Sequence, residues 1–262
     1  MKELKLKKRY GQNFLVDRNI VSKILQTIKP KQKNLVIEIG CGSGNLTTEL
    51  CKIFDKVIGY EIDKDLQTEL NKNLLPYKNH KIIFDDFLKR NIKDDLKEEK
   101  YNHLYVIANL PYYITTPIIE KIINEKLDIE VMRLMVQKEV GERFTAFPGT
   151  KAYSSITVYL NYNYEVRKDF IVKRTSFKPM PNVDSLIISF YKKEKIYVKD
   201  EDFFYKLVRD SFSQKRKTLK NNLKGYDFEK IKQVLEKHNL KEDIRAEALN
   251  INIFCEIANI LK

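Results

Sequence analysis

The chain has 262 residues, 43% apolar and 11% aromatic, enough to bury one large α/β core or a large one beside a small one. Its 49 Lys and Arg against 36 Asp and Glu leave a net charge of +13, which favours a polyanionic partner such as nucleic acid. The three cysteines form no CxxC pair, the three histidines lack metal-ligand spacing, no apolar run nears the ~20 residues of a membrane span, and the basic leader has no apolar signal core, so a soluble cytoplasmic protein without a metal or membrane site is expected.

After the leader MKELKLKKRYGQNFL, residues 17–28 have helical spacing with Asp17 as cap. NLVIEI (34–39) is a β-branched strand ending in GCGSG, and NLTTELCKI reads as the helix that follows. KVIGYEI (56–62) is the next strand, with a helix to about Leu75. HKIIF (80–84) and LYVIAN (104–109) are further strands, TPIIEKIINE (116–125) a helix, and EVMRLMVQ (130–137) another strand. Strands alternating with helices imply a parallel sheet covered on both faces. Residues 164–172 and 184–191 read as paired strands flanking the Pro-rich FKPMPN. A charged linker near 192–200 then leads into helical segments, which divides the chain into 1–195 and a small all-helical 196–262.

The first strand ends in Gly40-Cys41-Gly42-Ser43-Gly44. Glycines there permit a tight turn and a close ligand approach, and the helix that follows offers its N-terminus to an anionic group. Glu61 closes the next strand about twenty residues on, where a carboxylate can accept both hydroxyls of a ribose. The dinucleotide pattern GxGxxG would need glycine at 45, where Asn45 stands. GxGxG followed by an acid fits S-adenosylmethionine better than NAD. The third strand ends in Phe84-Asp85-Asp86-Phe87, where a carboxylate can accept from an adenine amino group with an aromatic neighbour against the ring.

The fourth strand delivers Asn109-Leu110-Pro111-Tyr112 to the same edge. An adenine amino nitrogen is a poor nucleophile because its lone pair is delocalised into the ring. The Asn109 amide oxygen and the Leu110 carbonyl can accept from it and favour pyramidalisation, Pro111 fixes the backbone, and the Tyr112 ring offers a face to an unstacked base. Catalysis would then be mostly positioning and electrostatics.

NLPY with the following ITTP resembles the rRNA adenine N6-dimethyltransferases, and within them the KsgA/RsmA group. KKRYGQNFLVD, MVQKEVGERFTAFPGTKAYSSITV, SFKPMPNVDS, FSQKRKTLKNNL and RAEALNI resemble that group as well, so the likeness runs along nearly the whole chain. It implies a Rossmann-like class I methyltransferase sheet with a small C-terminal all-helical domain. It also implies S-adenosyl-L-methionine as cofactor, and dimethylation of two adjacent adenosines in the 3′-terminal hairpin of small-subunit (16S) rRNA in a pre-30S particle; for oligomeric state a monomer is the default expectation. By the same resemblance Gln12, Asn13 and Leu15 contact the cofactor, together with Gly40, Gly42, Glu61, Asp86 and Asn109. Tyr113 stands where the group often has Asn.

Residues 213–224 hold five basic and no acidic residues. Lys215, Arg216 and Lys217 are the candidate RNA contacts. Arg143 and Phe144 either line the substrate mouth or serve core and helix-surface roles, and Cys41 is inert. Competing readings are an Erm-type large-subunit enzyme, a non-catalytic nucleic-acid-binding factor on the same fold, and an NAD-dependent oxidoreductase.

Overall fold

Every residue of Asn34–Ile39 is buried, as expected of a strand covered on both faces. In the computed structural model, which describes residues 13–262, this strand lies inside a seven-stranded sheet. The chain divides into two compact units: residues up to Gly141 with Arg167–Tyr191, and Glu142–Val166 with Lys192–Lys262.

The first unit contains, in chain order, β1 (Phe14–Leu15), α1 (Arg18–Leu25), β2 (Asn34–Ile39), α2 (Asn45–Ile53), β3 (Lys56–Tyr60), α3 (Gln67–Leu74), β4 (His80–Ile83), α4 (Ile92–Leu96), β5 (His103–Asn109), α5 (Thr115–Asn124) and β6 (Ile129–Gln137). Across its boundaries run α6 (Lys138–Phe144), β7 (Tyr164–Val172) and β9 (Ser185–Lys192), with β8 (Phe177–Lys178) between the last two. The sheet order is β4-β3-β2-β5-β6-β9-β7. The first five of these strands pair in parallel, and β9 runs antiparallel to β6, with Gln137 opposite Ser185. Strand order reverses between β2 and β5, so the crevice at their carboxyl ends is where an open α/β sheet places its ligand.

Local chemistry sets the element ends. The Asp17 carboxylate accepts from the Asn19 N–H at 3.0 Å and starts α1, as the sequence predicts. Gly44, at φ +91°, lets the chain turn straight from the glycine loop into α2. Arg133 on β6 is buried but fully engaged: it donates to Ser189 Oγ at 2.8 Å and to the Ile24 carbonyl at 2.6 Å, and its Nε lies 3.2 Å from the Asp169 carboxylate. That pairing fastens β6 to β9, β7 and the end of α1, and satisfies a charge that would be costly to bury alone.

The second unit is helical: α7 (Ser155–Asn163), α8 (Glu201–Ser211), α9 (Leu219–Asn222), α10 (Phe228–Lys237) and α11 (Ile251–Leu261). Asp200, Thr218, Asp227 and Asn250 each cap the helix that follows with a side-chain oxygen. The sequence alone starts a helical domain at 196, and the second unit includes Lys192–Lys262. The unit also takes in 142–166, because Tyr153, Val158 and Tyr162 share one apolar cluster with Phe204, Leu207 and Phe254. Among the described residues no helix is long and apolar enough to cross a membrane.

Candidate active site

The carboxyl ends of β2, β3, β4 and β5 open onto one cavity of the first unit, about 780 Å³ including its mouth. Gly40, Gly42, Glu61, Asp86, Asn109, Leu110, Pro111 and Tyr112 all line it, as does Asn13. Four separated motifs thus converge because each directly follows a strand of one parallel sheet. A narrower cleft adjoins it, sharing Phe14, Gly40, Gly42 and Asn109 and adding Leu15, Glu38 and Asn45.

Glu61 is buried and its carboxylate bridges two turns: one oxygen accepts from the Gly42 N–H and the other from the Asp63 N–H, both at 2.8 Å. Each oxygen keeps a second lone pair for an incoming hydroxyl. Burial raises its pKa, opposed by those two amides. Gly40 and Gly42 sit at φ +82° and +57°, and a Cβ on Gly42 would stand 2.9 Å from the Phe14 ring. The bare glycine backbone is therefore what admits Phe14 to the wall. Beneath the loop, Glu38 is 1% exposed and its Oε2 has no hydrogen-bond partner. Burial pushes its carboxyl up to about 8; the Thr47 hydroxyl and Cys41 thiol pull it down and the Glu61 charge adds to the rise.

Asp86 caps the short turn Phe87–Lys89 through the Leu88 N–H at 3.0 Å. Phe87 meets Tyr60 edge-on, centroids 5.0 Å apart. The Tyr60 hydroxyl donates to Asp95 at 3.0 Å, and Arg90 pairs with both Asp95 and Asp85. A braced turn results, presenting Asp85 and Asp86 to the cavity.

The Asn109 side chain donates from Nδ2 to the main-chain carbonyl of Asn13 at 3.3 Å, which turns its oxygen to the accepting role. The Leu110 N–H donates to the Met135 carbonyl at 3.1 Å, and Pro111, at φ −59°, receives the Thr115 hydroxyl on its carbonyl at 3.1 Å. The Leu110 carbonyl is thus fixed from both sides. Tyr112 is half-buried, its hydroxyl 2.6 Å from Ser185 Oγ, and burial raises its pKa, which keeps the ring neutral.

Gln12 lies outside the described residues. Leu15 lines the adjoining cleft rather than the main cavity; its side chain belongs to the core and its carbonyl accepts from Asn45 Nδ2 at 3.0 Å. Lys215, Arg216 and Lys217 are exposed on the second unit. The Lys215 ammonium donates to the Lys151 carbonyl, so it also ties two loops of that unit. Phe144 is fully buried, and it and Arg143 belong to the second unit. Cys41 is buried and burial raises its thiol pKa well above the ordinary value, which leaves it inert as a nucleophile. Motif reasoning misses Phe14, Tyr60 and Ile62, which also line the cavity; Asp85 lines it beside Asp86, the two carboxylates the sequence offers at that strand end. The adjacency of the first three to Gln12-Asn13 and Glu61 is the one signal that points to them. No group of three or more His, Cys, Asp or Glu among the described residues could hold a metal ion.

A seven-stranded sheet of this order, with a glycine turn after one strand, an acid after the next and an Asn-Leu-Pro-Tyr turn at the switch point, defines a class I methyltransferase. Comparison with known proteins narrows this further. The family model for ribosomal RNA adenine dimethylase matches residues 3–262, and the chain belongs to that family. It is 44% identical to the ribosomal RNA small subunit methyltransferase A of Bacillus cytotoxicus, over 97% of this chain and 91% of that one. Identity to the protein of the same name from Bacillus mycoides is 42% over the same shares. Among solved structures, a dimethyladenosine transferase from Plasmodium falciparum superposes with a TM-score of 0.78 at 31% identity, covering 93% of this chain and 95% of that one. The 23S rRNA methyltransferase ErmE superposes with a TM-score of 0.73 at 24% identity, covering 95% and 99%, a likeness of fold.

Proposed function

We propose that this rRNA adenine dimethyltransferase uses S-adenosyl-L-methionine to dimethylate N6 of two adjacent adenosines in the 3′-terminal hairpin of small-subunit rRNA. It would act as a cytoplasmic monomer on a pre-30S particle. The observation that carries the reading is the convergence of Gly40, Gly42, Glu61, Asp86 and Asn109–Tyr112 on one cavity. The relatives named as small-subunit methyltransferases at 42–44% identity support the choice of subunit.

The residues present fit the cofactor. Gly40 and Gly42 line the cavity with bare backbone, Glu61 has acceptor capacity for ribose hydroxyls, and Asp86 and the half-buried apolar Ile62 line the same cavity, where a purine would be held. Asn13 and Leu15 close the leader side and the adjoining cleft, Gln12 preceding them in sequence. Bound S-adenosylmethionine supplies an electrophilic methyl group. The chain's own contribution is orientation: the Asn109 oxygen and Leu110 carbonyl accept from the adenine amino group, localising its lone pair, while Tyr112 stacks the base. Two acceptors suit both rounds, since the first methylation leaves one N–H. The proton lost from the alkylated nitrogen is acidic enough to leave without a strong base.

Methyl transfer from radiolabelled S-adenosylmethionine to unmodified small and large subunits in parallel tests this. Dimethyladenosine mapped to the 3′ hairpin of small-subunit RNA is the expected product. Label confined to large-subunit RNA would overturn the substrate, and no label with intact RNA binding would overturn catalysis.

A further inference from the structure

Phe147 is 76% exposed on the second unit. A single apolar side chain in water is ordinary, so exposure alone says little. What distinguishes Phe147 is that its backbone is held while its ring is not covered. The Thr150 N–H and hydroxyl both donate to the Phe147 carbonyl, at 3.2 and 2.7 Å, closing the turn. Gly149, at φ +85°, donates its N–H to the Glu247 carbonyl at 2.7 Å, fastening the tip to the segment before α11. The neighbouring Ala146 packs on the apolar cluster of the unit. On the other flank the Lys215 ammonium holds the Lys151 carbonyl, which brings the loop 213–217 against this turn.

The two segments joined at Lys151 are cationic. Lys151, Lys215, Arg216 and Lys217 are exposed on them, and the third segment adds the exposed Arg245 among Glu242, Asp243 and Glu247. Residues 145–151 and 213–220 carry no acidic side chain. An aromatic face on a fixed turn with guanidinium and ammonium groups beside it is what a single-stranded nucleic acid recognises: bases stack on the ring and the cations follow the phosphates.

We propose that Phe147 is a stacking platform for an unpaired base of ribosomal RNA, with Arg216 and Lys217 on the flanking phosphates. Phe147 belongs to the second unit, and the residues lining the cavity belong to the first. The ring would read an exposed base elsewhere in the same RNA, adding affinity that does not depend on salt. The inference rests on the rRNA substrate proposed above.

The test is binding of the full chain to unmodified small subunits across a salt series, with Phe147→Ala, Phe147→Leu and Phe147→Tyr. Alanine and leucine should each weaken binding about tenfold at fixed salt, with the slope of log K against log salt unchanged, while tyrosine stays near the wild type. Wild-type affinity in the alanine variant would overturn the proposal. So would full rescue by leucine, which buries apolar area without a π face. A fall of several degrees in melting temperature on Phe147→Ala would also overturn it, making the ring a packing residue. If the unsubstituted chain binds large subunits instead, the substrate reading fails by itself, and the same series on that RNA decides the stacking contact.

Discussion

The side-chain amide of Asn109 donates to the main-chain carbonyl of Asn13, 96 positions away in sequence and 3.3 Å away in space. Asn13 thereby holds the Asn109 amide, and one hydrogen bond ties the orientation of the proposed adenine acceptor to the placement of Asn13 at the cavity wall. Asn109→Ala should therefore lower methyl transfer by at least about 100-fold while cofactor affinity changes only a few-fold. Single-turnover transfer alongside calorimetric titration of S-adenosylhomocysteine would measure both; retained turnover would refute the role of the amide oxygen.

Glu61 joins the glycine loop to the turn after β3 through the Gly42 and Asp63 amides. In Glu61→Gln one amide N–H would face an NH2 group, so the variant should bind cofactor at least tenfold more weakly and lose about 1–3 kcal/mol of stability. Equal affinity in a direct titration would show that the ribose lies elsewhere.

Gly42→Ala places a methyl group against Phe14 at a φ of +57°. Backbone strain costs about 1–2 kcal/mol, and the ring must leave the wall. Cofactor affinity should fall in this variant and in Phe14→Ala alike. A crystal structure of the alanine variant with Phe14 unmoved would contradict the account.

Glu38 makes the cofactor-free protein less stable as pH rises. Its folded pKa of about 8 lies above the ordinary 4.5 of the unfolded chain. The native state therefore holds a proton that the unfolded state has released, and stability falls between those two values and levels off above them, by roughly 5 kcal/mol at most. Glu38→Gln should match the wild type near pH 4.5 and exceed it in melting temperature at pH 8. Parallel pH profiles for the two proteins would remove the buried-acid explanation.

Replacing Arg216 and Lys217 by alanine should reduce the slope of log K against log salt by about one for each phosphate left without its cation, whatever the RNA sequence. Lys215→Ala should in addition loosen the turn it fastens at Lys151, seen as faster amide exchange at 149–151. An unchanged slope in all three would place the phosphates on another surface.

The sheet and the four motif turns are legible in the sequence because each turn directly follows a short apolar run, and parallel strands bring such ends to one edge. Phe14 is not legible as wall: its place depends on β1 pairing with Phe177–Lys178, far along the chain, and on the empty space above Gly42. Helix α7 has no amphipathic period to reveal it. Ile156, Thr157, Val158, Leu160 and Tyr162 are all buried, and the β-branched residues among them favour strand by propensity. Its start lies in the reciprocal cap between Ser154 and Thr157, a local signal that the surrounding apolar residues mask. The extent of the second unit is hidden for a related reason, since only packing shows that Tyr153 belongs with Phe254.

The excursion of 142–166 into the second unit limits how the chain can be cut or exchanged. A truncation after Tyr191 would not free an independent catalytic half; it would strand Tyr153, Val158 and Tyr162 in water, stripped of Phe204, Leu207 and Phe254. A chimera between relatives would have to transplant two distant cassettes together. During synthesis, β7 and β9 emerge only after α7, so the nascent sheet must wait at its β6 margin while an unfinished neighbour is held in reserve. Insertion and tail are, for engineering and for inheritance, one part encoded in two places.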